Sequence, residues 1–215
     1  MLTNDQAPLS PEVIHNAAKD YGLQLSPDQV SKIQRYMSTL LAWNEKFNLT
    51  AIRDPLEILR RHFCESMYAA VALPLQSGRL ADLGSGGGFP GLPLKIICPD
   101  LHVFLVESNV KKATFLAEVV RELELTDTRV LVSRYEELGE EIAPIDFVCS
   151  RALGEFATFL NWARSERVSA NQAVLWIGGR DLPEVRAIAG WNWQEPVAIP
   201  HSLQRYLLVG SRSEA

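Results

Sequence analysis

The chain predicts an α/β fold: a mostly parallel sheet covered by helices, closed by a C-terminal antiparallel hairpin and preceded by a helical N-terminal cap. Three observations carry this. From Gly78 onward, short apolar runs alternate with helix-period patterns, the order of a β-α-β chain. These runs are apolar at successive positions, as strands buried on both faces are. Before Gly78 only helical patterns occur, and the last two strand-like runs have no helix between them. The boundary divides a cap, residues 1–77, from a sheet region, residues 78–215.

In the cap, three helix starts share one design. Ser10-Pro11, Ser26-Pro27 and Asp54-Pro55 each set an N-cap acceptor before a proline at the first helical position. Gln29 and Glu57 are expected to complete capping boxes in the second and third. Val30, Ile33, Met37, Leu40 and Leu41 form one helical stripe, and Leu56, Leu59, Phe63 and Met67 another.

In the sheet region the expected strands are Leu80–Leu83, Val103–Val106, Val130–Val132, Ile145–Cys149 and Ala173–Ile177. Helices are expected at Gly91–Cys98, Val110–Leu123, Glu155–Arg167 and Leu182–Ala189. Trp191–Ile199 and Arg205–Gly210 make the hairpin. Ligands of such sheets sit at the C-terminal ends of the strands.

Composition narrows the function classes. With 215 residues, 47% of them hydrophobic and 22% charged, the chain has the makeup of a globular protein able to bury its own core. A net charge of −5 argues against general polyanion binding, so nucleic acid would be met through a local patch. Cys64, Cys98 and Cys149 are an odd number without C-x-x-C spacing and read as free thiols, and the histidines show no metal spacing. Residues 1–12 lack a basic and an apolar leader region, and no apolar run approaches the ~20 residues of a membrane span. A cytoplasmic monomer without metal or membrane is expected.

The most informative segment is Leu80-Ala81-Asp82-Leu83-Gly84-Ser85-Gly86-Gly87-Gly88-Phe89-Pro90-Gly91. A strand runs into five glycines in eight residues, whereas a plain turn needs one. Gly86-x-Gly88-x-x-Gly91 matches the dinucleotide fingerprint. Asp82-x-Gly84-x-Gly86-x-Gly88 matches the loop of S-adenosylmethionine (SAM) methyltransferases and also accounts for Asp82. Pro90 stands where a pyrophosphate would need N–H donors, which favours SAM. At the end of the next strand Glu107 follows at the spacing of about 20 residues at which an acid grips ribose hydroxyls, in either cofactor class. Tyr135-Glu136, after the third strand, offers a wall and a polar contact for an adenine.

The fourth strand ends Cys149-Ser150-Arg151-Ala152, where a substrate would lie. It has no Asn/Asp-Pro-Pro-aromatic turn for amine methylation, and Cys149 reads as buried rather than as a nucleophile. Arg151 is a charged fork suited to base edges. This suits a target that is already nucleophilic, such as guanine N7, for which proximity and alignment supply ~7–11 kcal/mol and no base is needed.

Taken together, Trp43-Asn44-x-x-Phe47-Asn48-Leu49-Thr50, Arg53-Asp54-Pro55, Arg61-His62, the glycine loop, Ser133-Arg134-x-Glu136 and Ser150-Arg151-Ala152 resemble the glucose-inhibited division protein B family over roughly residues 26–185. Its members are bacterial methyltransferases of N7 of one guanine in 16S rRNA, near the decoding site. The resemblance implies a Rossmann-like SAM-dependent methyltransferase sheet, SAM as cofactor, and 16S rRNA or the small ribosomal subunit as partner. By position, it implies that Gly84, Ser85, Gly86 and Phe89 meet SAM, with Glu107-Ser108 and Tyr135-Glu136 completing the cofactor site. Arg151 would lie near both cofactor and substrate as the catalytic residue, and Arg53, Arg61 and His62 would face rRNA. Trp176-Ile177-Gly178-Gly179 departs from the family's Leu-Lys-Gly turn, and Arg180 is the nearest replacement charge in sequence. The rival readings are a small-molecule methyltransferase with the cap as lid, and a non-catalytic nucleoside-binding assembly factor.

Overall fold

The computed structural model describes residues 9–151 and 154–213. Residues 1–8, part of the stretch read for a leader, and Ala152 of the Ser-Arg-Ala motif lie outside them.

The cap begins with α1 (Pro11–Lys19) and α2 (Pro27–Asn44). The third helical stripe is a run of short pieces: α3 (Pro55–Ile58), a π-helical turn (Leu59–Cys64), α4 (Glu65–Met67) and α5 (Ala69–Ala72). All three expected N-caps form, with Ser10, Ser26 and Asp54 accepting from the N–H groups of Val13, Gln29 and Glu57. The Ser26–Gln29 box closes in both directions, at 3.2 and 2.8 Å. The Glu57 carboxylate departs from expectation: it lies 3.1 Å from Arg61, one turn on, where a full opposite charge competes with a backbone N–H.

The sheet region runs β1 (Ser77–Leu83), α6 (Gly91–Ile97), β2 (Asp100–Val106), α7 (Val110–Glu122), β3 (Thr128–Leu131), β4 (Phe147–Arg151), α8 (Phe156–Arg164), β5 (Gln172–Gly178) and α9 (Leu182–Arg186). It ends in β6 (Trp191–Trp193), β7 (Val197–Ala198) and β8 (Arg205–Arg212). Strand order is β3-β2-β1-β4-β5-β8-β6, with β7 also on β8. The first five strands are mutually parallel, and β8 is antiparallel to β5, β6 and β7. The expected hairpin arm at 191–199 is two short strands, because Pro196, which has no N–H to give a ladder, interrupts it. Helix α8 stops at Arg164 rather than Arg167, and α9 at Arg186 rather than Ala189.

Alternation along the strands sends side chains into two cores. Leu80, Leu101, Val103, Leu105, Val174 and Trp176 join one, whose other members are Ile14, Tyr36, Phe63, Leu92 and Phe115 from the cap, α6 and α7. Ala81, Leu83, Phe104, Val106, Leu175 and Ile177 join the other, with Phe159, Leu160 and Val185 from α8 and α9. Both faces of the sheet are therefore covered, as the continuous apolar runs required. Among the described residues the cap has no core of its own; it is one wall of the sheet's.

Candidate active site

The glycine loop leaves β1 at Gly84 with φ +69°, and Gly86 and Gly88 follow at +54° and +89°, values side chains disfavour. Its N–H groups bond partly within the loop and partly to the end of β2. Gly84 and Ser85 N–H donate to Val106 O, Gly86 N–H to Glu107 Oε2 at 2.9 Å, and Gly88 and Phe89 N–H to Ser85 O. Gly91 N–H donates to Asp82 Oδ2 at 2.9 Å. Asp82 is fully buried, and desolvation pushes its carboxyl up to about 7 against the opposing hydrogen bonds from Gly91, Ser85 and Cys149. Cys149, its register partner on β4, is buried with Sγ 3.8 Å from Asp82 Oδ1, and burial raises its thiol well above the usual range. All three cysteines are free and buried.

Beside the loop, at the C-terminal ends of β1, β2 and β3, lies a cavity of about 190 Å³. Gly84, Glu107, Ser108, Tyr135 and Glu136, all anticipated from sequence, line it together with Val106, Ser133 and Arg134. Glu107 is held in place: Oε2 accepts from Gly86 N–H, and Oε1 from Asn109 N–H at 2.8 Å. Tyr135 packs edge-on against Trp162, with centroids 5.2 Å apart; burial first and Glu136 next push its hydroxyl up to about 12.

Four residues anticipated at the cofactor do not line this cavity: Arg151 lines a second cavity, and three others sit elsewhere. Phe89 is turned into the cap, stacked between Tyr36 and His62. Ser85 is buried and its hydroxyl donates to Asp82 O at 2.8 Å, closing the turn. Gly86 contributes its N–H to Glu107 and is not among the lining residues.

A second cavity, of about 260 Å³, opens where β4 and β5 end. Arg151, Phe156, Trp176, Ile177, Ile199 and Arg205 are among its walls. Sequence reasoning missed two residues here. Arg205 is the register partner of Gly178, so the cation beside the end of β5 comes from β8, while Arg180 is exposed. Glu65 on α4 is 1% exposed and accepts from Arg205 Nη2 and Nε at 2.5 and 3.1 Å, with Arg151 Nη2 3.8 Å away.

The rRNA-facing candidates divide. Arg61 is half-exposed and paired with Glu57, and Arg53 is exposed and donates to Asn44 O at 3.1 Å. His62 is packed inward: Nε2 lies 2.7 Å from Thr50 Oγ1, and burial, then Arg151 and Arg61, lower its pKa to about 3. Asn44 explains part of the Trp43–Thr50 motif, since its side chain bonds Leu49 N–H, Thr50 N–H and Thr50 O and so ties the turn after α2. Among the described residues no cluster of His, Cys, Asp or Glu is arranged to hold a metal, and no helix is long and apolar enough to cross a membrane.

A parallel sheet with a glycine loop after β1, an acid after β2 and three antiparallel pairings of the C-terminal strand is the Rossmann-like methyltransferase fold. A SAM-dependent methyltransferase from Aquifex aeolicus superposes with a TM-score of 0.61 at 16% identity, over 77% of this chain and 97% of that one. The family model for rRNA small subunit methyltransferase G (GidB) matches residues 29–188. The chain belongs to that family, the one its motifs resemble. Curated relatives carry the name ribosomal RNA small subunit methyltransferase G. That of Xanthomonas axonopodis pv. citri is 46% identical over 96% of this chain and 98% of its own. That of Chloroflexus aggregans is 44% identical over 75% of this chain, a match spanning 66% of the relative's length.

Proposed function

We propose that the protein transfers a methyl group from SAM to N7 of a guanine in the 16S rRNA of the small ribosomal subunit. The observation that carries the cofactor class is how the glycine loop spends its N–H groups. A pyrophosphate needs free donors at the start of the following helix. Here those of Gly84, Ser85, Gly86, Gly88, Phe89 and Gly91 are already bonded, and the Glu107 carboxylate stands at the loop. That is a poor seat for a diphosphate and a good one for a cationic nucleoside.

The lining residues fit SAM. Glu107 keeps an unused lone pair on each oxygen for ribose hydroxyls. Tyr135 would form a wall for the adenine, and Glu136 would accept from its amino group. When bound, SAM supplies a methyl that an in-plane nitrogen lone pair takes as the C–S bond breaks, the bonding pair staying on sulfur and no proton being released.

This chain's own work is then placement. Phe156, Trp176, Ile177 and Ile199 give the second cavity apolar walls, and Arg151 gives it a charged donor. A flat base with one acceptor edge suits such a cavity, with Arg151 on guanine O6 leaving N7 free. Arg53, exposed, and Arg61, half-exposed, would meet RNA phosphates. His62 serves the glycine loop instead, because its ring is stacked and its Nε2 is spoken for.

The test pairs cofactor with acceptor. SAM at 100 times its dissociation constant should stabilise the fold by ~2.7 kcal/mol, and NAD should not. Labelled methyl should then pass to the RNA of small subunits from a strain lacking the enzyme, as an alkali-labile N7-methylguanine. Stabilisation by NAD, or methyl appearing in a small molecule and not in RNA, overturns the proposal.

A further inference from the structure

Glu65 stands at the junction of four elements. Its backbone O accepts from Trp176 Nε1 on β5 at 2.8 Å. Its carboxylate takes the fork of Arg205 on β8 and lies 3.8 Å from Arg151 at the end of β4. The residue itself is on α4 of the cap. Both arginines and Glu65 line the second cavity.

The bonding around this group is lopsided. Arg205 makes two hydrogen bonds to Glu65, whereas Arg151 makes only the longer ionic approach. Arg151 Nη1 is buried with no hydrogen-bond partner. A buried unpaired donor is costly, and a buried ion pair is often no more stabilising than apolar side chains of the same volume. Stability alone therefore does not account for a guanidinium held with donors to spare beside a cavity walled by Phe156 and Trp176. A guest with an acceptor edge does.

We infer that Glu65 is a positioning residue: it holds Arg151 and Arg205 apart and in place at the ends of β4 and β5, so that the spare donors of Arg151 meet the acceptor edge of the target base. The inference rests on the proposed function for the identity of the guest. Glu65 touches neither base nor cofactor in this reading and acts through Arg151.

Glu65→Gln keeps the shape and removes the charge. Its crystal structure should show the Arg151 guanidinium displaced by about 1 Å or more, a misplacement that costs on the order of 100-fold in rate. Single-turnover methyl transfer to small subunits should fall by roughly 10- to 100-fold, with the SAM dissociation constant within about twofold of wild type. In an Arg151→Ala background the same substitution should cost no further transfer, since both changes remove one effect. Losses that multiply in the double variant, weakened SAM binding that accounts for the rate, or an unmoved Arg151 would each overturn the inference. If melting and circular dichroism show Glu65→Gln unfolded, Glu65→Asp takes its place, keeping the charge but withdrawing it from both guanidiniums, with the same coupling expected. Failure of the wild type to methylate small-subunit RNA would bring down the proposed function, while the position of Arg151 in the variant still decides what Glu65 holds.

Discussion

The imidazole of His62 lies flat against the ring of Phe89, with centroids 4.7 Å apart and planes 19° from parallel. Phe89 stacks in turn on Tyr36 at 5.6 Å, and the Tyr36 hydroxyl donates to Gly87 O. A residue of the cap's π-helical turn and a residue of the glycine loop thus share one aromatic stack.

Burial first, then Arg151 and Arg61, lower the His62 pKa from 6.5 to about 3. The unfolded chain therefore binds a proton that the folded chain refuses between those values. Folding stability should fall as pH drops from about 6.5 toward 3, by about 1.4 kcal/mol per pH unit from this group. His62→Phe keeps a stacking ring and removes the titration. In urea unfolding, the difference between variant and wild type should move in the variant's favour by about 1.4 kcal/mol per unit as pH falls from about 6.5 to 4, and parallel profiles would refute the assignment. SAM affinity should survive His62→Phe and weaken in His62→Ala.

Asp82 has the opposite sign. Its carboxyl is raised from 3.8 to about 7 by burial, so the folded chain keeps a proton that the unfolded chain releases. Its contribution is complete below pH 4 and is lost as pH rises to about 7, again by about 1.4 kcal/mol per unit. Asp82→Asn should therefore gain on the wild type across that window and run level with it in slope above pH 8. Asp82→Ala, which leaves Gly91 N–H without an acceptor, should cost about 1–3 kcal/mol at pH 5. Because His62 and Asp82 pull against each other from about pH 4 to 6.5, the wild-type profile should be flatter there than that of either variant.

Gly91 opens α6 against β1 and β2. A Cβ there would sit 2.6 Å from Leu105 Cδ2 and 2.8 Å from Asp82 Oδ2. Gly91→Ala should overpack this joint by about 1–3 kcal/mol and lower the melting temperature by several degrees. Gly154→Ala, where a Cβ meets nothing within 4 Å, is the control and should melt with the wild type.

Arg53 and Arg61 hold the fold only lightly, through one bond to a carbonyl and one exposed pair with Glu57. Replacing either with Ala should change stability by less than about 1 kcal/mol. If they meet phosphates, KM for small subunits should rise while SAM binding stays constant. The slope of affinity against salt should drop by about one unit per arginine. Unchanged KM with an unchanged salt slope would remove them from the RNA surface.

Legibility in the sequence followed the range of the interactions. The N-caps of α1, α2 and α3 depend on residues three apart, and all three formed as read. The cavity residues Gly84, Glu107, Ser108, Tyr135 and Glu136 follow directly from strand ends, which the apolar runs marked well. The expected roles of Phe89 and His62 rest on motif position, and no local pattern signals that their rings meet across the cap. Glu65 was unreadable for the same reason in stronger form: it resembles any helical acid until Arg205, 140 residues on, is folded against it. Arg180 neighbours the end of β5 only along the chain, whereas the pairing of β5 with β8 brings Arg205 to that end of the sheet.

Because Ile14, Tyr36 and Phe63 share one interior with Leu92, Leu105 and Phe115, the N-terminal helices have no seam along which to swing. Parting them from the sheet would expose several large side chains at about 1.5–3 kcal/mol each, more than routine opening can bear. Those helices are thus a fixed wall of the sheet, and under the proposed function any adjustment of shape on docking would fall to the RNA.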